Sequence, residues 1–216
     1  MYTMNFDYLV KITTVGDQSV GKTCVVNRFV SGKFTDVYDI TIGVDFCTKT
    51  IPVRYKGVDK SVKIQVWDTA GQEVFRSITR SYYKNSAVVL LVFDVSNRDS
   101  FTRIDRWFRE VITMNTANNP TVYLVGNKTD VSKREVTKSD AENYAHECGL
   151  IYRETSAKNG SGIRELFDEL SFKIVSDIHN GKLEVGQVSG VKGRNISNDI
   201  ESLTDRSTGR KFNQCC

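Results

Sequence analysis

Gly16-Asp-Gln-Ser-Val-Gly21-Lys22-Thr23 follows without a break the run Tyr8-Leu-Val-Lys-Ile-Thr-Thr-Val15. The run is apolar and β-branched and reads as a strand, and Lys22–Val30 reads as a helix. Strand, loop and helix together form the G-x-x-x-x-G-K-[ST] arrangement, in which each position has its own physical reason. The glycines let the backbone turn so that consecutive N–H groups converge on phosphate oxygens. A helix starting near Lys22 adds the positive end of its dipole. Lys22 can reach β- and γ-phosphates as a point charge, and the Thr23 hydroxyl can coordinate Mg²⁺. Gly16, Asp17, Gln18, Ser19, Val20, Gly21, Lys22, Thr23 and Cys24 are therefore candidate phosphate-binding residues. The bland alternative is a glycine-containing turn with an incidental lysine, and the flanking strand and helix weigh against it.

Working outward, strand-like runs recur at Val62–Trp67, Ala87–Val95, Thr121–Gly126 and Leu150–Thr155. Ala87-Val-Val-Leu-Leu-Val-Phe93 has no alternation, as expected of a strand buried on both faces. Helices are expected near Ser100–Thr113, Ser139–Glu147 and Ile163–Ile178, with a capping box at Ser139-Asp-Ala-Glu142. Val44–Tyr55, Gly57-Val-Asp59 and Ser61–Trp67 read as a hairpin carrying an antiparallel edge strand. Alternation of this kind predicts an α/β fold, a mostly parallel six-stranded sheet with one antiparallel edge strand and helices on both faces.

The pattern stops near Asn180. Residues 181–214 are rich in Gly, Ser, Asn and charge and read as a flexible tail without secondary structure. The expected division is thus a domain over residues 1–180 and a tail over 181–216. The tail is not a polybasic block, because Glu184, Asp199, Glu201 and Asp205 offset its lysines and arginines. Asn195-Ile-Ser197 fits a glycosylation sequon and reads as coincidence. Over all 216 residues, 30 basic and 26 acidic side chains leave a net charge of +4, too small to mark a nucleic-acid partner. No apolar run is long enough to span a bilayer, and the N-terminus does not read as a secretory signal. The cysteines Cys24, Cys47, Cys148, Cys215 and Cys216 suggest neither a disulfide framework nor a zinc site. A reducing, cytosolic-type compartment fits them best.

Asn127-Lys-Thr-Asp130 follows the strand Thr121–Gly126, at the sheet edge where open α/β sheets bind ligands. Asp130 can accept both N–H groups of a guanine Watson–Crick edge; adenine offers no such pair and would leave the carboxylate unpaired. Asn127 can hold the loop, and the stem of Lys128 can cover a face of the base. Ser156-Ala157-Lys158, after the last strand, offers backbone N–H groups to the guanine oxygen. Asp68, at the tip of another strand, suits the surroundings of Mg²⁺. Gly71 permits close backbone approach to a γ-phosphate, and Gln72 can orient an attacking water.

In this order the motifs resemble the Ras superfamily of small GTPases, with its P-loop NTPase G domain. Ile42-Gly-Val-Asp-Phe46, Lys63-Ile-Gln-Val-Trp67, Gln72-Glu-Val-Phe-Arg-Ser-Ile-Thr79, Tyr82-Tyr83-Lys84 and Leu91-Val-Phe-Asp94 resemble its Rab branch. The resemblance covers about residues 6–180, and Cys215-Cys216 matches the family's doubly geranylgeranylated end. It implies that Thr41 joins Mg²⁺ and the γ-phosphate in the GTP state. It also implies that Phe34 packs on the guanine, that Tyr38 closes over the phosphates, and that Phe46, Trp67 and Tyr82 form an effector-reading surface. Residue patterning alone leaves Phe46 and Trp67 as ordinary core residues. Further implied are an exchange factor, a GTPase-activating protein, effectors, a prenyl-chaperone of the GDI type and a role in vesicle trafficking. The implied location is the cytoplasmic face of intracellular membranes, in exchange with cytosol.

Two residues depart from the family pattern. Gln18 stands where many members carry a small residue, close to the γ-phosphate, and can slow hydrolysis. Val74 replaces an arginine usual in that stretch, which bears on polar contacts to regulators. The expected chemistry is GTP + H₂O → GDP + phosphate, driven by positioning and charge neutralisation. Without an arginine finger in the chain, intrinsic turnover is expected to be slow. The rival readings are a module that holds GTP without hydrolysing it and a P-loop kinase, the latter predicting adenine preference.

Overall fold

The computed structural model describes residues 6–34, 41, 43–71, 81–116, 119–186 and 189–193. In chain order the strands are β1 (Tyr8–Val15), β2 (Val44–Tyr55), β3 (Val58–Thr69), β4 (Val88–Asp94), β5 (Thr121–Asn127), β6 (Ile151–Glu154) and β7 (Val191–Gly193). The helices are α1 (Lys22–Ser31), α2 (Arg98–Thr102), α3 (Ile104–Met114), α4 (Lys138–Cys148) and α5 (Ile163–His179). The strands lie in the order β2-β3-β1-β4-β5-β6, with β7 added against β1. The pairs β1–β3, β1–β4, β4–β5 and β5–β6 are parallel, and the edge strand β2 runs antiparallel to β3. The predicted sheet is therefore present, and it carries a seventh strand.

Every residue of β4 is buried, because each face of the sheet has its own core. Val88, Leu90 and Val92 join Val25 and Phe29 of α1 and Phe167, Leu170 and Ile174 of α5. Val89, Leu91 and Phe93 join Ile104, Trp107 and Val111 of α3 and Ala141 and Ala145 of α4. The strand tips bearing the motifs are thus fixed by packing on both sides. Among the described residues no helix is long and apolar enough to cross a membrane, and Cys24, Cys47 and Cys148 are free thiols.

Three local expectations are corrected. The helix expected over Ser100–Thr113 is divided at Arg103 into α2 and α3, with the Arg103 N–H donating to Asp99. The capping box lies two residues before the expected Ser139–Glu142. Thr137 caps α4, accepting from the Asp140 N–H at 3.1 Å, while the Asp140 carboxylate accepts from the Thr137 N–H at 3.4 Å.

The third correction concerns the region after Asn180, which was expected to lack secondary structure. β7 pairs antiparallel with the start of β1, Tyr8 opposite Gly193 and Val10 opposite Val191. It occupies the edge that β4 leaves open. The Lys11 N–H donates to Gly190 at 2.8 Å, and the Lys11 carbonyl accepts from Ala87 at 2.9 Å. Val191 is fully buried in the core beneath α5. Gly190 has φ +70°, and a Cβ there would lie 2.4 Å from both the Ala87 nitrogen and the Asn85 oxygen. Gly190→Ala is expected to weaken β7 docking by about 1–3 kcal/mol, the scale of a strained left-handed residue. Hydrogen exchange at the Lys11 amide checks this, with faster exchange expected in the variant.

Candidate functional site

The loop between β1 and α1 leaves the sheet tightly against β4. Gly16 has φ +147°, and a Cβ on it would lie 2.2 Å from the Val92 carbonyl oxygen. A Cβ on Gly21 would lie 2.4 Å from Asn127 Nδ2. Ser19 also has positive φ, at 65°, and such a succession turns main-chain N–H groups inward, a concavity suited to anions. Lys22 is buried beneath the loop, its Nζ donating to the carbonyls of Gly16 at 3.0 Å and Asp17 at 2.8 Å. Burial lowers its pKa to about 8, against the pull of the Asp68 and Asp17 carboxylates. An arriving phosphate would give this ammonium a charged partner in place of two carbonyls.

Beside the lysine, Thr23 Oγ1 donates to Asp68 Oδ2 at 2.5 Å and lies 2.8 Å from Thr41 Oγ1. The other Asp68 oxygen accepts from Thr14 Oγ1 at 2.6 Å. Burial raises the Asp68 pKa, opposed by the Thr14 and Thr23 hydrogen bonds and the Lys22 charge. A buried carboxylate beside two hydroxyls is an all-oxygen donor set, which fits a hard cation such as Mg²⁺. Among the described residues no group of three or more His, Cys, Asp or Glu could hold a metal. A cation in this place would therefore take its remaining ligands from phosphate and water.

Gly71 abuts the loop from the other side. A Cβ built on it would lie 2.4 Å from the Gln18 nitrogen and 2.5 Å from the Asp17 carbonyl carbon. The Asp17 carboxylate is anchored in turn, accepting from Trp107 Nε1 at 2.7 Å and from Arg103 Nε.

At the far end of the cleft, Asn127 joins three segments. Its Nδ2 donates to the Val20 carbonyl at 2.9 Å, and its Oδ1 accepts from Thr155 Oγ1 and the Ala157 N–H, each at 3.2 Å. Asp130 is exposed at the strand end and accepts from Ser156 Oγ at 2.5 Å. Lys128 adopts φ +67°, and its ammonium lies 2.6 Å from Asp94 Oδ2 at the tip of β4.

Phe46 of β2, Trp67 of β3 and Tyr82 form a chain of rings. The Phe46 and Trp67 ring centroids are 5.1 Å apart, and those of Trp67 and Tyr82 are 5.3 Å apart. Phe46 is 46% exposed, which overturns the core reading that patterning alone gives it. Lys11 Nζ lies 5.3 Å from the Trp67 centroid.

The structure thus brings together Gly16 to Cys24, Thr41, Asp68, Gly71, Asn127, Lys128, Asp130 and Ser156 to Lys158 along one end of the sheet. Phe34 joins them through Arg28, whose guanidinium lies 5.9 Å from its ring centroid. Tyr38, Gln72, Val74, Cys215 and Cys216 lie outside the described residues. Thr14, Arg28, Asp94, Arg103, Trp107 and Thr155 escape sequence reading, although Asp94 and Thr155 carry a usable signal in ending or following a buried strand.

A family model described as the Ras family matches residues 11–176. The chain is 41% identical over 210 residues to the Ras-related protein Rab-4 of Dictyostelium discoideum, covering 97% of this chain and 98% of that protein. Coverage of that extent leaves no large part of the chain outside the likeness, and the chain belongs to the Rab family of small GTPases within the Ras superfamily.

Proposed function

We propose that the chain binds GTP and GDP with Mg²⁺, hydrolyses GTP slowly to GDP and phosphate, and acts as a switch on membranes in vesicle trafficking. The observation that carries this reading is Asn127, which ties the Val20 carbonyl of the phosphate loop to Thr155 and Ala157 beside the Asp130–Ser156 pair. One side chain thereby sets a phosphate cradle at a fixed distance from a carboxylate suited to guanine.

Lys22 and the inward N–H groups of the loop would neutralise charge building on the transferring phosphoryl group. Thr23, Thr41 and Asp68 would hold Mg²⁺, which when bound supplies further charge neutralisation at the phosphate oxygens. Gln72 would orient water, and Tyr38 would cover the phosphates. Thr41 and Gly71 would keep their segments in place only while a γ-phosphate is present, so that partners binding one state read the nucleotide. Phe46, Trp67 and Tyr82 would carry the effector contacts.

Residues 1–180 are the proposed GTPase domain and 181–216 the tail, from which β7 adds a strand to the domain's sheet. Lipid on both Cys215 and Cys216 would give stable attachment where one chain gives marginal binding. The protein would then cycle between the cytoplasmic face of intracellular membranes and the cytosol. An exchange factor, an activating protein, effectors and a GDI-type prenyl-chaperone would serve that cycle.

Competition of GTP against ATP for nucleotide-free protein, followed by single-turnover hydrolysis, tests the reading. GTP is expected to win, and Gln72→Leu is expected to slow hydrolysis, most clearly with an activating protein. ATP preference would sink the assignment of Asp130. A rate that is negligible and indifferent to Gln72→Leu would leave a GTP-holding module, with Gln18 as the suspect.

A further inference from the structure

Arg28 lies on α1, the helix that begins with Lys22 and Thr23, and faces the loop after β6. Its Nε donates to the Ala157 carbonyl at 2.7 Å, Nη2 to the Lys158 carbonyl, and Nη1 to the Gly32 carbonyl at 2.8 Å. The same guanidinium lies 5.9 Å from the Phe34 centroid. One planar side chain with several fixed donors thereby joins the end of α1, Phe34 and the Ser156–Lys158 turn. All three of these acceptors are main-chain carbonyls, so what Arg28 fixes is the orientation of peptide planes.

That orientation has a chemical consequence. In a planar trans peptide the carbonyl and the following N–H point in opposite directions. Holding the Ala157 carbonyl toward Arg28 turns the Lys158 N–H away from the guanidinium. The neighbouring donors of the turn are already engaged. The Ala157 N–H goes to Asn127 Oδ1 and the Asn159 N–H to Ser156 Oγ, each at 3.2 Å. Among the described residues, the Lys158 N–H is the donor that this network leaves for a ligand.

We propose that Arg28 is a positioning residue for recognition of the purine 6-oxo group. It holds the Ala157–Lys158 peptide so that the Lys158 N–H meets the oxygen on C6, and it steadies Phe34 at the edge of the same pocket. The proposal rests on the guanine-nucleotide reading and assigns to a residue of α1 part of the base selectivity.

The test compares full-length wild type, Arg28→Met and Arg28→Lys, with Arg164→Met as a control. Arg164 pairs with Asp168 on the exposed face of α5. Dissociation constants are measured for GDP, for the diphosphate of 2-aminopurine riboside, which lacks the 6-oxo group and with it the N1–H, and for inosine diphosphate, which keeps both but lacks the 2-amino group. Arg28→Met is expected to weaken GDP and inosine diphosphate in parallel, by about tenfold, the upper end for one neutral hydrogen bond. The 2-aminopurine nucleotide should weaken by less than about threefold, so its disadvantage against GDP shrinks.

Equal weakening of all three nucleotides would reduce Arg28 to a general prop and overturn the proposal, as would no change in any. Should Arg28→Met fail to fold, the same ratio in Arg28→Lys decides, since a lysine cannot hold two carbonyls in fixed planes. Wild type binding ADP as tightly as GDP would instead overturn the guanine reading, and the proposal with it.

Discussion

Asp130→Asn is expected to weaken GDP binding by about 10²–10⁴-fold, because hydrogen bonds worth about 1.5–3 kcal/mol each to a charged acceptor lose that charge, and the 2-amino group meets a second donor. It is also expected to create affinity for xanthosine diphosphate. A carboxylate accepts from both the N1–H and the 2-amino group of guanine. The asparagine amide has one acceptor and one donor edge, which suits the N1–H and 2-oxo pair of xanthine. Ser156 Oγ donates to Asp130 Oδ1 at 2.5 Å, and asparagine keeps an oxygen to accept that bond, so the loop geometry should survive the exchange. Competition of the two diphosphates for wild type and variant reads the result. GDP affinity unchanged in Asp130→Asn would remove Asp130 from the base pocket.

Gly71→Ala is expected to leave GDP affinity within about threefold of wild type while slowing single-turnover GTP hydrolysis by about 10²-fold or more, the effect of misplacing one preorganised donor. The argument is one of space. The added methyl would lie 2.4 Å from the Gln18 nitrogen and 2.5 Å from the Asp17 carbonyl. That peptide has little freedom to retreat, because Asp17 is bonded to Trp107 and Arg103 and its carbonyl accepts from Lys22. The segment carrying Gly71 must therefore move, and it bears the proposed γ-phosphate contact. Asn127 and Asp130, at the other end of the cleft, are untouched. Unaltered hydrolysis in Gly71→Ala would show that the close packing is incidental to turnover.

What could be read from sequence follows the range of the interactions involved. β4 is legible because the body of a strand buried on both faces must be apolar, as Val88–Phe93 is, with a charge only at the strand tip, Asp94. The phosphate loop is legible because its requirements fall on contiguous residues. The cap of α4 is ambiguous in sequence because Thr137 and Ser139 are both good N-caps, and only the path of the chain selects Thr137. β7 leaves no signal in sequence because three residues with a single buried valine set no period. Arg28 and Trp107 are silent in sequence for a different reason. Each acts on residues about ninety or more positions away in the chain, a relation that local patterning does not carry.

β7 also bears on mechanics. It runs antiparallel to β1 and ends with Gly193 opposite Tyr8, whereas the phosphate loop leaves β1 at its other end, after Val15. With lipid on Cys215 and Cys216 as proposed, the leash to the bilayer starts at Gly193 and not at the end of α5. Residues 194–216 reach at most about 80 Å when fully extended, against about 125 Å for residues 181–216. The three-residue ladder of β7 on β1 thus caps how high the switch surface can stand above the membrane. It is also the first part of the domain to carry load when an effector pulls outward.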